Sequence, residues 1–234
     1  MIEEVRSHPL GFLKILVYTA KVFFGSIKEY VLLIFMVGLP VTILQSLISI
    51  EFLVYFGFWG NLLSTAVGLI ALMPVVAVTL LADQRLHGKK EVKFFELFNQ
   101  SFTLWPKIIM TYILTNFLIT FGFSLLILPG IILMVYLTFA NPITVLRGSY
   151  GFEAIRYSFN IVKSQWWKVF LYTLLLNVIT IGFSLFVVSG IFILNENIIL
   201  NILIQLFVSG LVYFLNTFNT ILFLNIDYMK ASMQ

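Results

Sequence analysis

The segment between Lys107 and Arg147 contains no charged side chain, and a proline-glycine pair, Pro129-Gly130, lies near its middle. An α-helix needs about 20 apolar residues to cross the hydrocarbon core of a bilayer. The segment is therefore long enough for two crossings. Proline fixes one backbone dihedral angle and glycine tolerates turn conformations that other residues resist. We predict a hairpin of two membrane spans that reverses at Pro129-Gly130.

The composition of the whole chain is that of a membrane protein. Of its 234 residues, 61% are hydrophobic and 10% are charged, whereas a soluble domain is about 45–50% apolar and about 25% charged. We predict an all-α protein that forms one integral membrane domain over residues 1–234. Its six apolar runs give six predicted spans: 30–50, 60–82, 108–128, 131–146, 168–194 and 198–226. The fourth run is short, so it either continues past Arg147 or is tilted and broken.

The basic residues predict the orientation of the chain. With six spans, all 14 lysines and arginines fall on one side of the membrane. Basic residues favour the cytoplasmic side. We therefore predict a multi-pass protein of the cell (inner) membrane with both termini in the cytoplasm. The chain contains no cysteine, and its N-terminal region does not resemble a cleaved signal peptide.

Three segments on the basic side have the pattern of amphipathic helices. Lysines recur every seven residues in the first, while apolar residues recur every three or four positions in 94–105 and 152–166. Such helices lie in the headgroup region, where each basic residue contributes about 1 kcal/mol of attraction to anionic lipid. The predicted headgroup contacts are Lys14, Lys21, Lys28, Arg156 and Lys163. Alternatively, each helix packs on the ends of the spans as a lid, and the two interpretations are compatible.

An internal repeat is visible when the segment from Phe94 is aligned with the segment from Phe152. Gly122-Phe123-Ser124-Leu125 then aligns with Gly182-Phe183-Ser184-Leu185, and Gly130-Ile131 with Gly190-Ile191. The predicted unit is a surface helix followed by a two-span hairpin, with the same turn made twice and both copies entering the membrane from the same side. Whether a third copy begins at Phe12 is left open.

The stretch LPGIILMVYLTFANPITVLRGSYGFEAIRYSFNIVKSQWW combines a Pro-Gly pair, an Asn-Pro late in the next span and a Glu-Ala-Ile-Arg-Tyr-Ser helix. In these features the chain resembles the prokaryotic six-span proteins that include the membrane domain attached to some glycerophosphodiester phosphodiesterases. The resemblance covers about residues 90–190. The catalytic barrel of the fused proteins has no counterpart in this sequence. The resemblance therefore implies a membrane module, either lipid-associated or accessory to transport, and no catalytic activity can be carried over from it.

Uncharged polar residues form a stripe along the sixth span, within about a third of the helix circumference at 100° per residue. They are Asn201, Gln205, Ser209, Tyr213, Asn216, Asn219 and Thr220. The stripe either holds helices together through hydrogen bonds, worth about 0.6 kcal/mol each in membranes, or forms one wall of a polar cavity for a neutral or amphiphilic substrate. Asn116 and Asn177 are its possible partners from other spans. Pro40, Pro74 and Pro142 lie inside spans and are expected to bend them.

The sequence contains no arrangement of residues typical of catalysis. Asp83, Arg85 and His87 cluster after the second span and could bind a metal or a phosphate, but the ordinary polar end of a helix is the preferred explanation. We predict no catalytic residue, no metal and no cofactor. The lysines follow the membrane edge, so the expected partners are anionic lipids and not nucleic acid.

Two functions are compatible with these patterns. In the first, the protein is a transport or lipid-handling component whose sixth span lines a polar path. In the second, it is a non-transporting scaffold, immunity or envelope-stress protein that acts through partners. The sequence alone does not decide between them.

Overall fold

The computed structural model describes residues 1–48, 50–89, 91–192 and 198–231, and this part of the chain contains helices and no strand. A π-helical turn, Ile34–Gly38, joins α3 to α4. The α-helices are α1 (Ile2–Ser7), α2 (Phe12–Gly25), α3 (Ile27–Leu33), α4 (Leu39–Leu47), α5 (Ile50–Ile70), α6 (Leu72–Leu86), α7 (Phe94–Leu125), α8 (Ile127–Leu137), α9 (Ala140–Arg147), α10 (Phe152–Lys163), α11 (Trp166–Phe192) and α12 (Ile198–Ala231).

Among the described residues, six helical stretches are long and apolar enough to cross a membrane, and each overlaps one predicted span. They are Ile27–Gln45, Tyr55–Leu86, Phe94–Leu125, Ile127–Arg147, Trp166–Phe183 and Ile202–Ala231. The mean hydropathy of these stretches lies between 1.4 and 2.3. The prediction of an all-α membrane protein is therefore confirmed, and the chain is a multi-pass protein.

Charged side chains meet at one end of the bundle, which we call the basic end. There the end of α6 reaches the α2–α3 junction through Arg85, which donates to Ser26 and to Glu29. The last turns of α12 approach α10, because the Lys230 ammonium donates to the carbonyl of Asn160. Helices α1, α2, α6, α9 and α10 all pack against α12. As a result, α12 is buried on every side from Thr217 to Asp227 except at Asn219.

Helix α2 packs as a lid and also leaves one side uncovered. It buries Ile15, Thr19 and Val22 against the bundle, while Leu13 is 74% exposed and Phe24 69% exposed on its other side. The lid interpretation of this helix is therefore compatible with contact between its outer side and lipid.

The sequence pattern predicted a separate surface helix over 94–105, and this prediction is wrong. The segment forms the first turns of α7, which continues through Pro106 to Leu125. A proline removes one helical hydrogen bond but does not end a helix whose two halves are both packed. Leu97 is buried before the proline, and Ile108 is buried after it against Leu72 and Val76.

The third and fourth spans form the predicted hairpin, but the reversal does not occur at Pro129-Gly130. The chain turns at Leu126, which is extended (φ −164°, ψ 158°), and the pair lies in the first turn of α8. Proline is tolerated there because the first helical N–H groups need no intrahelical acceptor. Gly130 has no positive φ. It is needed for close packing, since a Cβ on it would lie 2.4 Å from the ring of Phe123.

The same turn is not made twice. Helix α11 continues through the positions aligned with Pro129-Gly130 and ends at Phe192. The aligned side chains Gly190 and Ile191 lie outside the described residues. In addition, a break at Ser164 and Gln165 separates α10 from α11, whereas α7 is continuous. The repeat therefore does not extend to the hairpin turns.

Each proline predicted to bend a span lies in the first turn of a helical segment. Pro40 follows the π-helical turn and begins α4, Pro74 follows Ala71 in α6, and Pro142 follows Phe139 in α9. The fourth span is consequently broken between α8 and α9, one of the two predicted alternatives. In α5, Gly57 has a positive φ of 51°. It kinks the helix between the first two predicted spans, 30–50 and 60–82.

Candidate functional site

A cavity of about 530 Å³ lies among the first, second and sixth spans. Its walls come from Val37–Gln45 in the first span, from Ala71 to Val75 in the second and from Ile204 to Tyr213 in the sixth. These residues lie in the middle of the second span and, in the other two, in the half farther from the basic end. The cavity is thus placed where three spans meet, away from the charged groups.

The cavity is lined by both apolar and uncharged polar side chains. The polar ones are Thr42 and Gln45 from α4, and Gln205, Ser209 and Tyr213 from α12. None of the described residues that line it is charged. Valines from all three spans complete the wall. Such a lining matches a molecule that has a neutral polar group and an apolar body.

Breaks in the backbone flank the cavity on two sides. The π-helical turn at Ile34–Gly38 precedes Pro40, and π-helical turns often occur at functional sites. On the second span, α5 and α6 separate at Ala71, just before Pro74. The indole N–H of Trp105 donates to the carbonyl of Leu69 over 3.0 Å and so satisfies an acceptor near this break. Irregular backbone within a span is tolerated where protein or a cavity surrounds it.

The structure brings together part of the predicted polar stripe. Gln205, Ser209 and Tyr213 line the cavity, and the Ser209 hydroxyl donates to the carbonyl of Gln205. The side chain of Asn201 lies outside the described residues. The Asn216 amide donates to the carbonyl of Val212 in its own helix.

The remaining candidates of the stripe do not line the cavity. Thr220 donates to the carbonyl of Asn216, and Asn219 is half-buried. Asn116 and Asn177 are exposed, and each donates to a carbonyl of its own helix. The polar side chains of another span that line the same cavity are Thr42 and Gln45, which the periodicity of the sixth span could not indicate.

Sequence reasoning missed a cluster at the basic end that joins three helices. Arg147 of α9 donates from Nε (3.0 Å) and Nη2 (2.5 Å) to Oδ2 of Asp227, and Tyr157 of α10 donates to Oδ1 over 2.6 Å. Burial and the hydrogen bond to Asp227 raise the pKa of Tyr157 to about 12. The tyrosine therefore remains a donor at neutral pH. The sequence signal for this cluster was Asp227, a single acidic residue directly after the uncharged sixth span predicted at 198–226.

Sequence reasoning also missed Asn225, which is fully buried in α12. Its amide donates to the carbonyls of Val5 and His8, and its Oδ1 accepts from the N–H of Leu10 over 3.0 Å. One side chain thus satisfies three backbone groups of the α1–α2 connection. The residues lie more than 200 positions apart, so no local pattern could have indicated the contact.

The basic residues predicted to contact headgroups are exposed at the basic end. Lys21, Lys28, Arg156 and Lys163 are exposed. Lys14 forms an ion pair with Glu4, which also accepts from Tyr18. These two hydrogen bonds lower the pKa of Glu4, the one from Lys14 contributing most. Whether lipid contacts these residues remains a prediction.

Three residues cluster in the sequence after the second span, but their side chains make different contacts. They are Asp83, Arg85 and His87. Arg85 turns toward Glu29 and Ser26. His87 instead lies beside Asp83, with 3.4 Å between Nδ1 and Oδ1, and its Nε2 accepts from Arg6 over 3.2 Å. The structure therefore divides the cluster between two sets of contacts.

Comparison of the chain with protein-family models, with curated proteins and with solved structures finds no match. The resemblance to the membrane domains attached to phosphodiesterases is not tested by these comparisons. It remains a hypothesis based on the sequence.

Proposed function

We propose that the protein binds a neutral amphiphile in the cavity among its first, second and sixth spans, as a transport or lipid-handling component of the cell membrane. The observation that carries the proposal is the cavity itself, which combines Gln45, Gln205, Ser209 and Tyr213 with a valine-rich wall and has no charge on its described lining. A charged substrate would lack a counterion in such a site and would have to lose its hydration.

The polar groups of the cavity have the capacity to bind a ligand. The side-chain amide of the half-buried Gln205 makes no hydrogen bond to any described residue, and the same holds for Gln45, which is exposed at the end of the first span. An unpaired amide buried in an apolar environment costs about 1–3 kcal/mol, and this cost applies to Gln205. A ligand hydroxyl, ester or amide that pairs with these groups recovers that free energy and fixes its own orientation.

The proposed orientation follows from the charges. Because basic residues favour the cytoplasm, we infer that the basic end lies there and that the cavity lies in the middle and outer part of the bilayer. An amphiphile is concentrated in the bilayer, so a site at this depth does not need an aqueous entrance. In this arrangement the exposed side of α2 contacts the inner leaflet.

The Gln205→Leu/Ser209→Ala variant tests the proposal. We expect a roughly tenfold to thirtyfold loss of affinity for a fluorescent monoacylglycerol, since two hydrogen bonds at about 1 kcal/mol each are removed. The measurement is fluorescence titration of the purified full chain in detergent, together with quantitation of co-purified neutral lipids by mass spectrometry.

A matched control is provided by Asn116→Leu/Asn177→Leu, which removes two polar groups exposed on other spans. This control should bind the probe like the natural chain. Equal binding by the cavity variant and the natural chain would contradict the proposal, and so would an absence of binding by a natural chain that is folded. If the stripe only holds helices together, the cavity variant will lose thermal stability and keep its affinity.

A further inference from the structure

A second pocket, of about 280 Å³, lies at the basic end between α2, the end of α6 and the connection that leads to α7. Its described lining consists of Met1, Lys21, Val22, Gly25, Arg85, Gly88 and Lys89. None of the described residues lines both this pocket and the cavity among the spans. Its volume is about nine times the roughly 30 Å³ that one water molecule occupies in the liquid, so a polar headgroup fits.

One wall of this pocket is held rigidly by Arg85. Its Nε donates to the Ser26 hydroxyl over 2.8 Å, and its Nη2 lies 2.7 Å from Oε1 of Glu29. The two charged side chains are only 16% and 14% exposed. The ion pair fixes the end of α6 against the α2–α3 junction, and Glu29 offsets much of the charge of Arg85.

The uncompensated charge in the pocket comes from Lys21 and Lys89. Both are exposed, and neither forms an ion pair with a carboxylate of the described residues. By contrast, Lys14 and Lys93 at the same end pair with Glu4 and Glu96. Two lysines that line one small pocket without a described carboxylate within ion-pair distance create a local positive potential that favours an anion.

An exposed apolar surface lies directly beside this pocket. Phe24, which precedes the pocket residue Gly25, is 69% exposed, and Ile27 and Val31 at the start of the first span are 47% and 40% exposed. A molecule that places an anion between the two lysines could therefore rest acyl chains on the surface of the span. Charge and apolar surface are combined here as in the binding of phospholipids at membrane interfaces.

We propose that this pocket binds a phosphate group, anchored by Lys21 and Lys89 and presented by an anionic phospholipid whose chains lie along Phe24, Ile27 and Val31. Glu29 holds Arg85 in place as the wall behind the phosphate. The pocket acts independently of the cavity among the spans. A phosphate in solution has the same chemistry, and the experiment separates the two sources.

The test is native mass spectrometry of the full chain in neutral detergent, titrated with phosphatidylglycerol or with phosphatidylcholine. For Lys21→Gln/Lys89→Gln we expect roughly thirtyfold weaker binding of phosphatidylglycerol, about fivefold per lysine, because each basic residue contributes about 1 kcal/mol of attraction. Binding of zwitterionic phosphatidylcholine should be weak and should change little.

The control Lys93→Gln/Lys107→Gln removes two exposed lysines that are not among the predicted headgroup contacts and do not line the pocket, and it should bind phosphatidylglycerol like the natural chain. Equal weakening in the two double variants would overturn the proposal, because it would indicate a diffuse surface attraction. Unchanged binding in both would overturn it as well. Millimolar inorganic phosphate is then added to the natural chain: displacement of the lipid supports a phosphate site open to solution, and no displacement supports a site for lipid.

Discussion

Arg147→Met is expected to lower the free energy of unfolding by about 2–3 kcal/mol, because it leaves the buried carboxylate of Asp227 without its charged partner, while the 35% exposure of Arg147 lets solvent screen part of the interaction. Asp227 is only 7% exposed, and without Arg147 its sole remaining side-chain donor among the described residues is Tyr157. The pair also connects α9 to α12, so the fourth and sixth spans should separate at the basic end. Unfolding in mixed detergent micelles measures the effect.

The double variant Arg147→Met/Asp227→Asn is the matched control for this prediction. Since it removes both charges, it should recover most of the stability that the single variant loses. If the two substitutions were additive, or if Arg147→Met cost less than about 1 kcal/mol, the ion pair would not be what joins these helices.

Asn225→Leu is expected to cost about 3–5 kcal/mol and to release the N-terminal segment from the bundle. The substitution leaves the N–H of Leu10 and the carbonyls of Val5 and His8 without their partner in a buried site, and each unpaired group costs about 1–3 kcal/mol. Part of that cost is avoided if the segment moves into water. Thermal unfolding should shift to lower temperature, and amide hydrogen exchange in 1–11 should accelerate at least tenfold.

Asn216→Leu makes the same chemical change in the same helix and serves as its control. Among the described residues, the Asn216 amide donates only to a carbonyl of its own helix, so we expect a change within about 0.6 kcal/mol. Protection of the N-terminal amides should be unaffected. Equal exchange rates in the two variants would show that Asn225 does not hold the segment.

The sequence predicted those parts of the fold that depend on composition and on local spacing. Apolar runs located the six spans, and basic residues gathered at one end. Local rules failed at Pro129-Gly130, because a pair typical of turns is also suited to a helix start in close contact with a neighbouring helix. They failed at 94–105 because the packing of Leu97 on one side of Pro106 and of Ile108 on the other keeps α7 continuous.

The sequence predicted only those residues of the candidate site that lie on one helix, the sixth span. The period of the sixth span placed Gln205, Ser209 and Tyr213 on one side, and these residues do line the cavity. Their neighbours Thr42 and Gln45 come from a different span, and a helical period contains no information about which spans meet. The contacts of Asn225 and Asp227 depend on the same long-range packing, so they too became visible only in three dimensions.

Single-cysteine labelling measures the central claim, that the spans place every basic segment on one side of the membrane. The chain has no cysteine of its own, so each introduced thiol reports alone. Tyr55 (86% exposed) and Leu126 (69% exposed) lie at the opposite end, and Lys89 and Lys163 are exposed at the basic end. In intact cells, a membrane-impermeant maleimide should label Tyr55→Cys and Leu126→Cys, and it should label Lys89→Cys and Lys163→Cys only after lysis. Labelling of either basic-end variant in intact cells would contradict the account.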